Sequence, residues 1–205
     1  MIMKKLKCKL VLSLLALSVS GNCFATGLGV TNSVSNELWS DSAQNNVNHD
    51  VKSLGFLLDT NESGRKVFGY RFRFLLERNE SEDKSVKLEG YATTHDFAFS
   101  LFANDHFRMW LGPRLKAARY DDVRVNGVKV SDEVNGYLFG PVFGINVFLD
   151  KVVGFSFAVS RLAGDYDSRR NVFNANSTYD IDVYSRTTTV EASLVFRFGK
   201  RRFRH

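Results

Sequence analysis

The stretch KVFGYRFRFLLE, Lys66–Glu77, decides the fold. Its even positions are Phe68, Tyr70, Phe72, Phe74 and Leu76. Its odd ones are Val67, Gly69, Arg71, Arg73 and Glu77, with Leu75 alone out of line. Side chains that change face at every residue are the signature of a β-strand. A soluble sandwich would also hide an aromatic face. The opposite face separates the two readings, because glycines mixed with arginine and glutamate suit the inside of a small barrel.

The same alternation recurs along the chain. Phe97, Phe99 and Leu101 oppose Asp96, Ala98 and Ser100, while Phe107, Met109, Leu111, Pro113, Leu115 and Ala117 oppose Arg108, Trp110, Gly112, Arg114 and Lys116. Tyr137–Leu149, Val153–Val159 and Thr188–Phe198 continue it, the last setting Val190, Ala192, Leu194, Phe196 and Phe198 against Glu191, Ser193 and Arg197. Thr26–Val34 and Val51–Leu58 are weaker strands that complete a set of eight.

Hairpin parity ties these faces together, since a one-residue slip would turn a strand inside out. A turn at Asn104-Asp105-His106 pairs Ala103 with Phe107 and Leu101 with Met109. A turn at Asp150–Val152 pairs Val147 with Phe155, and a three-residue loop Val125-Asn126-Gly127 pairs Leu115 with Tyr137 and Leu111 with Pro141. Joins near Asn61, Asp105 and Asp150 read as short; those near Asp41, Glu82, Asn126 and Ala175 read as longer. That asymmetry puts both termini on the short-turn side, the periplasmic one in such a barrel. Pro113 and Pro141, the only prolines, fall inside strands and predict loosened pairing.

Composition agrees. The 205 residues are 44% hydrophobic and 13% aromatic, with 18 Phe against 7 Tyr and 2 Trp. That excludes a disordered chain. A mean hydropathy of -0.18 excludes a polytopic helical membrane protein, yet suits a barrel whose strands average out. Residues 1–25 read as a secretory signal: Lys4, Lys5, Lys7 and Lys9, an apolar Leu10–Val19, then Cys23-Phe24-Ala25. Cys23 follows Asn22, which disfavours lipidation. Cleavage removes both cysteines and lowers the formal charge from +6 to +2. Lys200, Arg201, Arg202 and Arg204 lie in a basic tail, 199–205, so the body, 26–198, is itself slightly acidic. Nucleic acid is therefore not an expected partner.

With the signal segment, the eight strands and the alternating Phe198, Phe196, Leu194, Ala192, Val190 ending, the mature chain resembles the small outer-membrane β-barrels of Gram-negative bacteria. The OmpX-like proteins and the transmembrane domain of OmpA are the nearest patterns. The resemblance implies an all-β, eight-stranded, antiparallel up-and-down transmembrane barrel, inserted by the barrel-assembly machinery among outer-membrane lipids and lipopolysaccharide. Those families end on the terminal aromatic, whereas here Phe198 is followed by Gly199–His205.

Arg71, Arg73, Glu77, Asp96, Arg108, Arg114, Lys116, Glu191 and Arg197 share the inward parity. They form a candidate lumen charge network: a salt-bridged plug, or the lining of a narrow pore or transporter. Eight strands enclose a space that side chains just fill, which favours the plug. A segment Gly164–Tyr184 reads as the longest loop. Its Asp165, Tyr166, Arg169, Arg170, Phe173 and Tyr179 are candidate contacts for an unidentified extracellular partner. A lipid A- or phospholipid-modifying enzyme is the alternative of a different class. The mature histidines, His49, His95, His106 and His205, have no serine at the spacing such barrels use. His95 is expected near the membrane boundary with Asp96 inside. No catalytic, cofactor-binding or metal site is assigned, since Asp165-x-Asp167 and Asp180-x-Asp182 lack a calcium-loop framework. The expectation is a structural or surface-interaction role.

Overall fold

A computed structural model describes residues 26–40, 46–61, 67–130, 133–150, 152–171 and 178–198. The expected signal segment, the basic tail and Phe173 lie outside the described residues. The strands are β1 (Thr26–Ser40), β2 (Asn46–Asp59), β3 (Phe68–Ser81), β4 (Val86–Ala103), β5 (Phe107–Val125), β6 (Val128–Val130), β7 (Glu133–Phe148), β8 (Val153–Asn171) and β9 (Thr178–Phe198). Each pairs antiparallel with its chain neighbour, except that β5 pairs with both the short β6 and β7. β1 pairs with β9 and β4 with β5, so eight strands close a ring and β6 is a flap on β5.

Closure is what lets this sheet cross hydrocarbon, because no strand edge is left without backbone partners. Stepping across the pairs from Leu28 through Leu58, Phe72, His95, Leu115, Phe139, Ala163 and Arg186 returns to β1 at Leu38, not Leu28. That stagger tilts the strands and sets the barrel's width.

Outward positions carry the apolar residues. Val30, Leu54, Phe56, Leu76, Phe139 and Val190 are each more than half exposed. Many inward positions of β1, β2 and β9 are small hydroxyls, joined as Ser33 to Ser53 at 2.5 Å, Ser35 to Thr189 at 2.8 Å and Ser193 to Thr31 at 2.9 Å. The facing wall supplies long arginines from β3 and β5. Small against large is how a narrow barrel fills its bore.

Apolar side chains share the interior with the charges. Leu75, Leu88, Leu138, Leu162, Tyr120 and Tyr166 form part of an apolar cluster on β3 to β8. Leu75, out of line in the alternation, points inward to join it. Trp110 heads a second cluster with Ala98, Val142 and Ala158.

Two hairpin registers also differ from expectation. Phe99↔Leu111 keeps the predicted pairing, but an irregularity between Ser100 and Phe102 leaves Leu101 unpartnered, and Phe102 meets Met109. The β5–β6 turn has two central residues, not three. Asn126 and Gly127 both have positive φ (50° and 78°), the backbone of a tight hairpin turn. β7 then pairs Ala117 with Tyr137 and Leu115 with Phe139, a two-residue shift that preserves every face.

Pro113 stands directly opposite Pro141. Neither has an N–H, so the pair sits at a site where those donors would point to the outer neighbours. There the ladders are interrupted: β4–β5 pairing skips Phe97 and Ala98, and β7–β8 pairing skips Gly140 and Pro141. The loosened pairing expected from proline is present on the outer side of each strand.

The predicted long loops are mostly strand. β8 and β9 stay paired to Asn171↔Thr178; Gly164–Arg169 are still paired with β7, and only the pairs beyond Arg169 on β8 and Tyr184 on β9 project as a two-stranded ribbon. The join expected to be short near Asn61 spans residues 60–67. Connector lengths therefore do not divide the two ends; strand overrun does.

The β3–β4 turn is organised by Asp83. Its Oδ1 accepts hydrogen bonds from Ser81 Oγ (2.6 Å), Ser85 N (3.0 Å) and Ser85 Oγ (2.8 Å). These bonds to the charged form hold its pKa down, to about 2 from 3.8. The contribution of this carboxylate is complete above the unfolded-state pKa of about 4 and disappears as pH falls through about 2. Acidification from pH 5 should shift the Ser85 amide resonance in detergent NMR with a midpoint near 2, and Asp83→Asn should abolish that titration. A midpoint at the ordinary carboxylate value would contradict the assignment.

Candidate functional site

The inward charges arrange themselves in three tiers. Toward the β4–β5 and β7–β8 turns, Asp59 pairs with Arg71 (Nε–Oδ2 3.0 Å) and Arg108 (NH1–Oδ2 3.2 Å). Arg108 also donates to the Asn61 carbonyl at 2.6 Å. The Arg71 guanidinium lies 4.3 Å from the centre of the Trp110 ring and donates to Ser156 Oγ at 2.7 Å. Trp110 Nε1 and Ser156 Oγ both donate to Asn146 Oδ1. Arg197 covers the Phe148 ring at 3.9 Å.

In the middle tier two arginines alternate with two carboxylates. Arg114 reaches Asp96 (Nε–Oδ1 2.6 Å) and Glu191 (NH1–Oε1 2.6 Å, NH2–Oε2 2.9 Å). Arg73 reaches the same two acids, at 2.6 and 3.0 Å. Arg114 donates besides to Ser160 at 3.0 Å. None of these four ion-paired side chains is more than 3% exposed. Strand register explains the meeting of β4 and β5, as Asp96 is the cross-strand partner of Arg114. Glu191 comes from β9, across the bore.

The third tier joins Glu77 to Lys116 Nζ and Tyr120 Oη, each at 3.0 Å. Beside it Glu37 accepts from Ser185, Thr187 and Asn79. His49 Nδ1 lies 2.7 Å from Asn79 Oδ1, and its ring stacks on Trp39 at 4.3 Å.

All nine residues of the expected lumen network face inward, and eight of them are ion-paired as described; Arg197 stacks on Phe148. Glu37, Asp59, His49 and Asn79 belong to the interior and were missed. Glu37 and His49 sit on strands whose alternation is weak. Asp59 lies one residue past the stretch read as strand, although it shares the inward parity of Val51, Ser53 and Leu57.

The expected surface loop is corrected. Tyr166 is 1% exposed and points into the apolar cluster; it lies 4.9 Å from Trp39, ring to ring. Period-two geometry turns it inward once the segment is strand. Asp165 faces outward. Arg169, Arg170 and Tyr179 lie on the paired ribbon, and their side chains are outside the description. His95 lies on the outward face of β4. It stands between Phe72 and Leu115, with Asp96 facing inward as expected, and its Nδ1 lies 2.6 Å from Tyr70 Oη.

No protein-family model and no curated protein matches the sequence. Among solved structures, the chain is similar to the outer membrane protein OprG of Pseudomonas aeruginosa, with a TM-score of 0.61 at 10% identity over 87% of this chain and 97% of that one. It is also similar to the outer membrane protein AlkL in lipid bilayers, with a TM-score of 0.52 at 12% identity over 91% and 96% of the two chains. A ring of eight antiparallel strands, apolar outside and ion-paired within, thus carries the fold of the small outer-membrane β-barrels.

Proposed function

We propose that the chain is an integral protein of the bacterial outer membrane with a sealed interior, both termini periplasmic, acting through its surfaces and not as an open pore or an enzyme. One observation carries this reading: the Arg73–Asp96–Arg114–Glu191 square, drawn from β3, β4, β5 and β9, occupies the bore with side chains shielded from water. Such a square is held by charge-assisted bonds on several sides, and an ion passing it would have to part them. The outward face supports the membrane assignment, since Phe56, Phe139 and Val190 need hydrocarbon beside them. The histidines lend catalysis no base–nucleophile pair, since no serine stands two residues from His49, His95 or His106. The β8–β9 ribbon is the surface offered to an extracellular partner. Lipopolysaccharide, membrane lipids and the insertion machinery are the other partners this reading implies.

Planar-bilayer recording tests it. The purified barrel should give no steady conductance. A steady wild-type current that Arg71→Ala alters would overturn the sealed interior. Protease added to whole cells should cut within 172–177 and spare Asn104–His106; the reverse pattern would invert the orientation.

A further inference from the structure

The tier of the bore toward the β4–β5 and β7–β8 turns holds more positive charge than its acid neutralises. Arg71 Nε and Arg108 Nη1 both bind one oxygen, Asp59 Oδ2, at 3.0 and 3.2 Å. Two guanidinium groups thus share a single carboxylate, and all three side chains are 0% exposed. Asp59 is the only acid ion-paired to either arginine among the described residues. Asp96 and Glu191 are committed to Arg73 and Arg114, two against two. Glu37 lies beyond that square and is held by Ser185, Thr187 and Asn79.

The hydrogen bonds show the same imbalance. Arg71 Nη2 donates to Ser156 Oγ at 2.7 Å, Arg108 Nε to Ser100 Oγ at 3.0 Å, and Arg108 Nη1 to the Asn61 carbonyl at 2.6 Å. Arg71 Nη1 and Arg108 Nη2 are buried and have no acceptor among the described residues. Buried donors are normally bonded, and a cation out of water without its counter-charge is strongly unfavourable. Water is kept away on both arginines. Trp110 packs on the Arg71 guanidinium at 4.3 Å. Asn61, 2% exposed, rests on Gly69, where a Cβ would stand 2.6 Å from its own and 3.2 Å from Arg108 Nη2.

We propose that this tier binds one small monovalent anion of the chloride class, held by Arg71 Nη1 and Arg108 Nη2. One negative charge is what the surplus calls for. The bound ion makes the tier two against two, the same balance as the square beside it. A monatomic anion accepts from any direction, so it can serve two guanidinium groups whose orientation Asp59 already fixes. A sulfate or phosphate dianion would overcompensate a single surplus charge and is too bulky for side chains so enclosed. Fluoride gives up its water too reluctantly for a dry site.

Iodide is the probe, because a heavy halide beside an indole quenches its emission. Trp110 is 0% exposed, out of reach of collisions from solution, and Trp39→Phe leaves it the only tryptophan. The Trp39→Phe chain is refolded into detergent at rising sodium iodide, with ionic strength held constant by sodium gluconate. Trp110 emission should fall along a saturating curve, and chloride should restore it where sulfate does not. In the same background Arg108→Gln leaves Arg71 and Asp59 as a balanced pair, so saturable quenching should be lost. Asp59→Asn doubles the surplus charge, and the half-saturating iodide should drop by about tenfold or more. Arg119→Gln, an exposed cation paired outside the bore, should change nothing. Both substitutions in the tier break the same ion pair, so opposite responses separate an anion site from loosened packing. No quenching, quenching that rises linearly with iodide, saturable quenching that persists in Arg108→Gln, or relief by sulfate as effective as by chloride each overturns the proposal. Heat-modifiable gel migration identifies the variants that fold; where one does not, the Trp39→Phe chain and the other variant decide.

Discussion

Arg114→Leu is expected to destabilise the barrel by about 3–5 kcal/mol, the range for breaking a buried ion pair by removing one partner. The guanidinium touches Asp96, Glu191 and Ser160 at once. Without it, two water-excluded carboxylates must share Arg73 alone. Adding Asp96→Asn should recover part of the loss, because a single neutralising pair, Arg73–Glu191, then remains. Arg119 is the comparison. Its contact with Glu133 is as short, 2.7 Å, but both side chains are almost half exposed, so Arg119→Gln should cost no more than about 1 kcal/mol. Urea unfolding in lipid vesicles, followed by tryptophan fluorescence, measures all three. Equal losses for Arg114→Leu and Arg119→Gln would mean that water reaches the square and that the interior is open.

Phe157→Arg tests the other face. Phe157 points outward from β8 between Ile145 and Ala192, 45% exposed. A cation in the middle of a lipid-facing belt costs about 2–4 kcal/mol, falling to about 0–1 near the interface. Asp167→Arg, outward on the same strand but toward the ribbon beyond the belt, should cost little. A barrel indifferent to arginine at 157 would have water, not hydrocarbon, against its phenylalanines. The two experiments are independent, since one probes charges that need partners inside and the other a surface that tolerates none outside.

Much of this architecture is legible in the sequence. Tyr70-Arg71-Phe72-Arg73 shows which side chains share a wall, because the backbone turns alternate residues to opposite faces whatever lies around them. The eight strands, the inward arginines and the Asp150 hairpin follow from that rule. The β5–β6 turn was misjudged by one residue because left-handed conformations at both Asn126 and Gly127 make a tighter turn than Gly127 alone suggests. The irregularity at Leu101 leaves no mark on the parity of the residues before it. Tyr166 was misplaced because charge and aromatic content resemble a loop when the pairing that makes the segment a strand is not known.

Local alternation therefore determined the wall each residue occupies, and with it a greasy exterior and a charged bore. Ring closure and stagger decided the long-range partnerships: Glu191 with Arg114 and with Arg73, and Asp59 with Arg108. The reason is one of range. Facing is set within two residues by backbone geometry, whereas contact depends on where strands far apart in sequence come level, which only the closed barrel specifies.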